Sequence, residues 1–202
     1  MPISVLSGRV TKPTVSDQQK LIRVAKYLKG TQELCMTLGI DNLRVIKWMV
    51  DASFAVHPDF RSHTGGCMTW GRGTPISMSI KQKLNSRSST ESELIGLDDM
   101  MDKVIWTKLF LADQGIHLSE NVVAQDNQSA MKLEKNGRAS AGKRTRALNI
   151  HYFFVTDQIE KGNLTIEYQP TESMVADFMT KPLQGKVFQK FRDKLLGMEE
   201  KN

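Results

Sequence analysis

Val45-Ile46-Lys47-Trp48-Met49-Val50-Asp51-Ala52-Ser53-Phe54 alternates with a period of two. Ile46, Trp48, Val50, Ala52 and Phe54 share one face, and Lys47, Met49, Asp51 and Ser53 share the other. The stretch predicts a strand with a carboxylate in its middle. Burying an unpaired carboxylate is costly, so Asp51 needs a wet face, a basic partner or a site that uses its charge. Residues 66–70 and 76–81 predict two more strands, separated by the turn Gly71-Arg72-Gly73-Thr74-Pro75. Three consecutive antiparallel strands result.

Beyond them a long helix is predicted over 90–114, closed by Gly115, with Leu97, Met101, Ile105 and Leu109 in an i,i+4 row. Val122, Val123 and Ala124 predict a short buried strand ending at Asp126, followed by a helix to Asn136-Gly137 and a basic loop over 138–146. A helix over 149–161, a strand over 164–168 and one or two terminal helices broken at Pro182 complete the chain. In front of the first strand, 16–29 predicts an amphipathic helix with Ser16 as N-cap and Gly30 just past its end. The order predicts an α/β fold: a mixed five-stranded sheet, three antiparallel strands extended by two parallel ones, flanked by helices.

Length and composition bound the rest. The 202 residues fit one domain with an appendage. Lysine and arginine outnumber carboxylates 28 to 22, and the resulting +6 favours an anionic partner, with nucleic acid leading. At 40% hydrophobic and 25% charged, the chain is not a disordered, collagen-like or disulfide-built protein. Cys35 and Cys67 form no CxxC pair and give no zinc site, which fits a reducing compartment. Neither a signal-length N-terminal run nor about 18 consecutive apolar residues occurs, so a soluble, non-secreted protein without a membrane partner is expected.

Four carboxylates fall on elements that can converge at one edge of such a sheet: Asp51 at a strand centre, Glu93 at a helix start, Asp126 at a strand end and Asp177 in a late helix. Each has an ordinary reading as well. Glu93 heads the core-facing row, but Thr90-Glu91-Ser92-Glu93 and Ser88-Ser89-Thr90-Glu91 are both capping boxes; Asp126 suits an N-cap, and Asp177 a solvated helix position. As a group they offer hard oxygen ligands for two Mg²⁺ ions, the arrangement used in phosphodiester hydrolysis.

Six stretches carry a resemblance: Val50-Asp51-Ala52-Ser53-Phe54-Ala55, Arg61-Ser62-His63-Thr64-Gly65-Gly66, Lys81-Gln82-Lys83, Ser88-Ser89-Thr90-Glu91-Ser92-Glu93-Leu94, Gln125-Asp126-Asn127-Gln128-Ser129-Ala130 and Ala176-Asp177-Phe178-Met179-Thr180-Lys181-Pro182-Leu183. In this order they resemble the ribonuclease H domain of Ty1/copia-type retrotransposon polyproteins. The resemblance implies that residues 45–185 form an RNase H-like domain, that 1–44 resemble the end of the reverse transcriptase, and that 186–202 are a C-terminal helix and tail. It also implies metal-dependent hydrolysis of the RNA strand of an RNA/DNA hybrid, with Asp51, Glu93, Asp126 and Asp177 holding two Mg²⁺, or Mn²⁺, ions. The rest of a pol polyprotein becomes an expected partner, and a virus-like particle in the cytoplasm, or the nucleus, the expected location. A truncated remnant that binds hybrids without cutting them is the alternative. Family members commonly carry a histidine in the basic run before the penultimate helix, where this chain reads Arg144-Thr145-Arg146-Ala147.

Contacts to 2′-hydroxyls across the minor groove would select the RNA strand, with Asn85, Ser89, Asn127 and Gln128 as polar candidates and turn or cap chemistry as the other reading of each. Lys81, Lys83 and Arg87 are candidates for phosphate contact. The cluster Lys132, Lys135, Arg138, Lys143, Arg144 and Arg146 suits a backbone clamp. Gly137 to Lys143 only approximates a P-loop, since Arg144 stands where serine or threonine belongs and a helix precedes it. His57, His63, Cys67 and His117 match no zinc spacing, and Trp48, Trp70 and Trp106 suit core packing.

Overall fold

A computed structural model describes residues 2–136 and 151–198. Helices α1 (Pro2–Ser7) and α2 (Val15–Gly30) and the short strand β1 (Gly39–Ile40) precede the central strand β2 (Val45–Ser53). Then follow β3 (His63–Thr69), β4 (Gly71–Arg72), β5 (Ile76–Lys81), α3 (Ser89–Asp113), β6 (Glu120–Gln125), α4 (Gln128–Asn136), α5 (His151–Glu160), β7 (Thr165–Tyr168), α6 (Asp177–Thr180) and α7 (Gly185–Leu195). The main sheet has the order β5-β3-β2-β6-β7; β5, β3 and β2 are antiparallel, and β6 and β7 join parallel to β2. This is the mixed sheet expected from the residue pattern.

The period-two reading of β2 decides how the layers form. Ile46, Trp48 and Val50 are buried against Leu97, Met100, Met101, Val104 and Leu111 of α3, together with Val123 and Ile166 of the neighbouring strands. Full burial of side chains of this size contributes about 1.5–3 kcal/mol each. Met49, on the opposite face, joins Cys67, Ala124, Met174, Ala176, Phe191 and Leu195 in a second cluster beneath α6 and α7. Trp48 keeps its polar atom satisfied: its indole N–H donates to Asn121 Oδ1 (2.9 Å).

Several elements differ from the sequence expectation. β3 begins at His63, three residues before the strand expected over 66–70, and takes in both Gly65 and Gly66. A Cβ at Gly65 would lie 2.5 Å from Thr180 Cγ2 and 2.7 Å from Met179 Cβ, so the glycine admits α6 against the sheet. The i,i+4 row of α3 leaves the core after Ile105, and Leu109 is 60% exposed. Each four-residue step overshoots a 3.6-residue turn, so burial passes to Val104, Thr107 and Leu111. Trp106 is exposed and stacks on Phe110 at 5.0 Å instead of packing in the core.

At the N-terminus, Thr14 rather than Ser16 caps α2, exchanging hydrogen bonds with Asp17 in a capping box. The apolar residues Leu21, Ile22 and Leu28 of α2 are exposed, while Tyr27 meets Phe188 of α7 edge to face at 5.6 Å. β1 and β4 form a separate two-stranded ladder that the sequence did not signal. Residues 138–146, including Lys143, Arg144 and Arg146, lie outside the described residues. Among those described, no helix is long and apolar enough to cross a membrane.

Candidate metal centre

The parallel register of β2 and β6 pairs Met49 with Ala124. Asp51 and Asp126 each stand two residues further on, so both acids leave neighbouring strands at their C-terminal ends on one face of the sheet. Glu93 comes from the first turns of α3, which lies close to β2 there. A Cβ at Gly96 would sit 3.3 Å from Ala52 Cβ. Carboxylate oxygens of Asp51, Glu93 and Asp126 lie within 4.8 Å of one another. Asp177, the first residue of α6, approaches from the opposite layer and is buried, not solvated.

The capping roles belong to other residues. Ser88 caps α3 by accepting from the Glu91 N–H (3.1 Å), and Glu91 accepts from the Arg87 N–H (2.6 Å). Glu93 is therefore free of the cap, and its Oε2 is buried without a partner. For α4 the capping oxygen is Asn127 Oδ1, which accepts from the N–H groups of Ser129 and Ala130 (3.1 Å each). Asp126 instead accepts from the Thr171 hydroxyl (2.7 Å).

Asp51 is 2% exposed and accepts a short hydrogen bond from the Thr180 hydroxyl. Lys181 Nζ lies 2.6 Å from Asp177 Oδ1 and 3.7 Å from Asp51 Oδ1, joining the two acids. Burial pushes the Asp51 carboxyl up to about 6; the Thr180 hydrogen bond and Lys181 oppose this, while Asp177 and Asp126 add to it. Glu93 is pushed up to about 9 by burial first and by the charges of Asp51 and Asp126 next. Asp177 is also raised, chiefly by burial. Behind Glu93, turning the Gln125 amide over satisfies it, its nitrogen then donating to Glu134 Oε2 and Oε1 at 2.8 and 3.1 Å, and burial raises Glu134 to about 8. Carboxylates this crowded and this dry hold negative charge only at a cost that a cation relieves.

A second network supports α6 from β3 and β5. His57 Nε2 is 3.0 Å from His63 Nδ1, and His63 Nε2 is 2.9 Å from Ser79 Oγ. The Ser79 hydroxyl donates to the carbonyl of Met179 (2.7 Å), so it accepts from His63. These histidines brace the backbone beside Thr180 and group with no further metal ligand among the described residues.

The described residues read as nucleic-acid contacts differ in exposure. Lys83, Asn85, Arg87, Ser89 and Gln128 are exposed, while Lys81 is engaged by Asp59 (2.6 Å). Asn127 is half-buried, its oxygen used in the α4 cap. Asp99 of α3 is half-buried and accepts from the Thr64 hydroxyl (2.7 Å). Sequence reading missed Thr180, Lys181 and Thr171. Lys181 had a signal, since it stands four residues after Asp177.

No protein-family model matches the chain. The chain is 30% identical over 197 residues to the retrovirus-related Pol polyprotein from transposon TNT 1-94 of Nicotiana tabacum, across 97% of this chain and 14% of that protein. It is 31% identical over 195 residues to the retrovirus-related Pol polyprotein from transposon RE1 of Arabidopsis thaliana, across 96% and 13% respectively. It thus spans less than a sixth of these relatives' length. Among solved structures, LC11-RNase H1, isolated from compost by a metagenomic approach, superposes with a TM-score of 0.52 at 16% identity. That match covers 73% of this chain and 97% of the other, and it concerns the fold.

Proposed function

Because the chain is a homologue of retrovirus-related Pol polyproteins of plant transposons and has the fold of a ribonuclease H domain, we propose that it hydrolyses the RNA strand of RNA/DNA hybrids. The observation that carries this reading is the convergence of Asp51, Glu93 and Asp126 oxygens within 4.8 Å at the ends of two parallel strands. An all-oxygen, carboxylate-rich set suits Mg²⁺, with Mn²⁺ able to replace it, and the buried, unpartnered Glu93 Oε2 is an oxygen that a cation would satisfy. With Asp177 the site has ligands for two ions. When bound, such ions supply an activated water and stabilise the leaving oxygen of an in-line displacement at phosphorus.

The chain's own residues prepare that chemistry. Asp51 stands between the Glu93–Asp126 and Asp177 sides, and the Thr180 hydroxyl fixes its carboxylate. Thr171 fixes Asp126 in the same way. The raised carboxyls would give up their protons on holding cations, which would make loading of the site more favourable as pH rises. Lys83, Arg87, Lys143, Arg144 and Arg146 would supply phosphate contacts, with Lys81 available only if it leaves Asp59. Asn85, Ser89, Asn127 and Gln128 would meet ribose hydroxyls. On this reading residues 45–185 are the catalytic unit, 1–44 its link to the polymerase part of the polyprotein, and 186–202 its C-terminal helix and tail; the protein works inside the cell.

A second reading, a hybrid-binding module without turnover, draws on Lys181, which already neutralises Asp177 and Asp51. A hybrid labelled in its RNA strand separates the two. RNA fragments appearing with Mg²⁺ or Mn²⁺ and absent with EDTA support the nuclease, whereas salt-sensitive binding with intact RNA supports the module.

A further inference from the structure

The two halves of the acidic site are not equivalent. On one side, oxygens of Asp51, Glu93 and Asp126 approach one another, and Glu93 Oε2 is buried with nothing to bind. On the other, between Asp51 and Asp177, there is already a positive charge. Lys181 Nζ makes a 2.6 Å ion pair with Asp177 and lies 3.7 Å from Asp51. Asp126 also attracts it.

The chain builds this placement locally. α6 is four residues long, and the Lys181 N–H closes it on the Asp177 carbonyl (2.9 Å). Pro182 disfavours helical geometry at the residue before it, and Lys181 is extended, with φ −113° and ψ 144°. The side chain is nevertheless 38% exposed, so its flexible stem has a way out to solvent.

We propose that the Lys181 ammonium is the resident cation of the Asp51–Asp177 half of the site, held there until a second divalent ion displaces it. This rests on the nuclease reading of the same carboxylates. It makes ion binding stepwise. The Asp51–Glu93–Asp126 half takes a first ion without rearrangement, and the other half takes one only by breaking the Lys181 ion pairs. An enzyme built this way keeps its second ion weak until substrate phosphate, itself anionic, draws the lysine outward.

Titration of the full chain with Mn²⁺, free ion being counted by electron paramagnetic resonance, tests the proposal without reference to activity. The wild type should bind one ion with a second weaker by about tenfold or more, a gap of roughly 1.4 kcal/mol. Lys181→Met keeps the stem and removes the charge, and should tighten the second ion by about tenfold; Lys181→Gln should do the same. If either variant unfolds without metal, its circular dichroism should recover as Mn²⁺ is added. Two ions of equal affinity in the wild type, or variants whose second ion is unchanged or weaker, would overturn the proposal. If such a result accompanies Mg²⁺-dependent cleavage of a hybrid, the role of Lys181 alone fails. If the wild type binds no ion and cuts no hybrid, the nuclease reading fails with it.

Discussion

Asp51 is buried beside three other acids, and its hydroxyl partner Thr180 belongs to a different layer of the fold. Removing that donor while keeping the shape isolates its effect. Thr180→Val should lower kcat for hybrid cleavage about tenfold, from about 1.4 kcal/mol of lost positioning, with KM little changed. Thr180→Ser should restore it. Glu93 gives a second prediction, in pH. Its carboxyl titrates near 9 in the folded chain and near 4.5 unfolded, so between those values the unfolded state holds fewer protons. The stability this shift contributes is present below about 4.5 and is lost as pH rises toward 9. In EDTA the urea midpoint of the wild type should therefore fall from pH 5.5 to 8.5, and Glu93→Gln should flatten the slope. An unchanged slope would mean that Glu93 ionises freely. The sequence presented Asp51 and Glu93 as residues with two readings each, since a carboxylate on a strand or in a first helical turn has an ordinary use. The contacts that separate those uses come from residues far away in the chain.

At the scale of elements, period-two alternation over 45–54 and the 3.6-residue pattern of α3 were enough to place the sheet and the helix across it. What stayed hidden was set by close approach. The strand expected from residue 66 starts at His63 and so includes Gly65 as well as Gly66, at two positions where α6 and Met100 leave no room for a Cβ. Gly65→Ala would drive a methyl group against Thr180 Cγ2, Met179 Cβ and the Ala176 carbonyl, atoms held close to the backbone that cannot swing aside. It should cost about 1–3 kcal/mol in thermal or urea unfolding and weaken divalent-ion binding as α6 shifts. At Gly66 the added methyl would meet the flexible Met100 side chain, so Gly66→Ala should leave ion binding closer to wild type. Equal loss of ion affinity in both variants would contradict the role given to the α6 contact. The register of Thr14 and Asp17 at α2 was missed for a related reason: Ser16 is also a good cap by type, and only the backbone geometry distinguishes them.

Over the whole molecule, a net charge of +6 coexists with an acidic edge, and nucleic-acid binding must satisfy both. Contacts to phosphate release counterions, so affinity for a hybrid should fall linearly on a log–log plot against salt. The double variant Lys83→Ala/Arg87→Ala should reduce that slope by about 2; an unchanged slope would remove both side chains from the interface. On the proposed function, the converging carboxylates make this fold a metal-dependent nuclease. The most direct test of this compares wild type and Asp51→Asn on one RNA-labelled RNA/DNA hybrid with Mg²⁺, measuring cleavage and affinity together. The wild type should cleave the RNA strand, and the variant should do so at a rate lower by about a hundredfold or more, some 2.7 kcal/mol, with hybrid affinity retained. Cleavage undiminished in Asp51→Asn, or an intact RNA strand after incubation with a wild type that binds it, would contradict this reading.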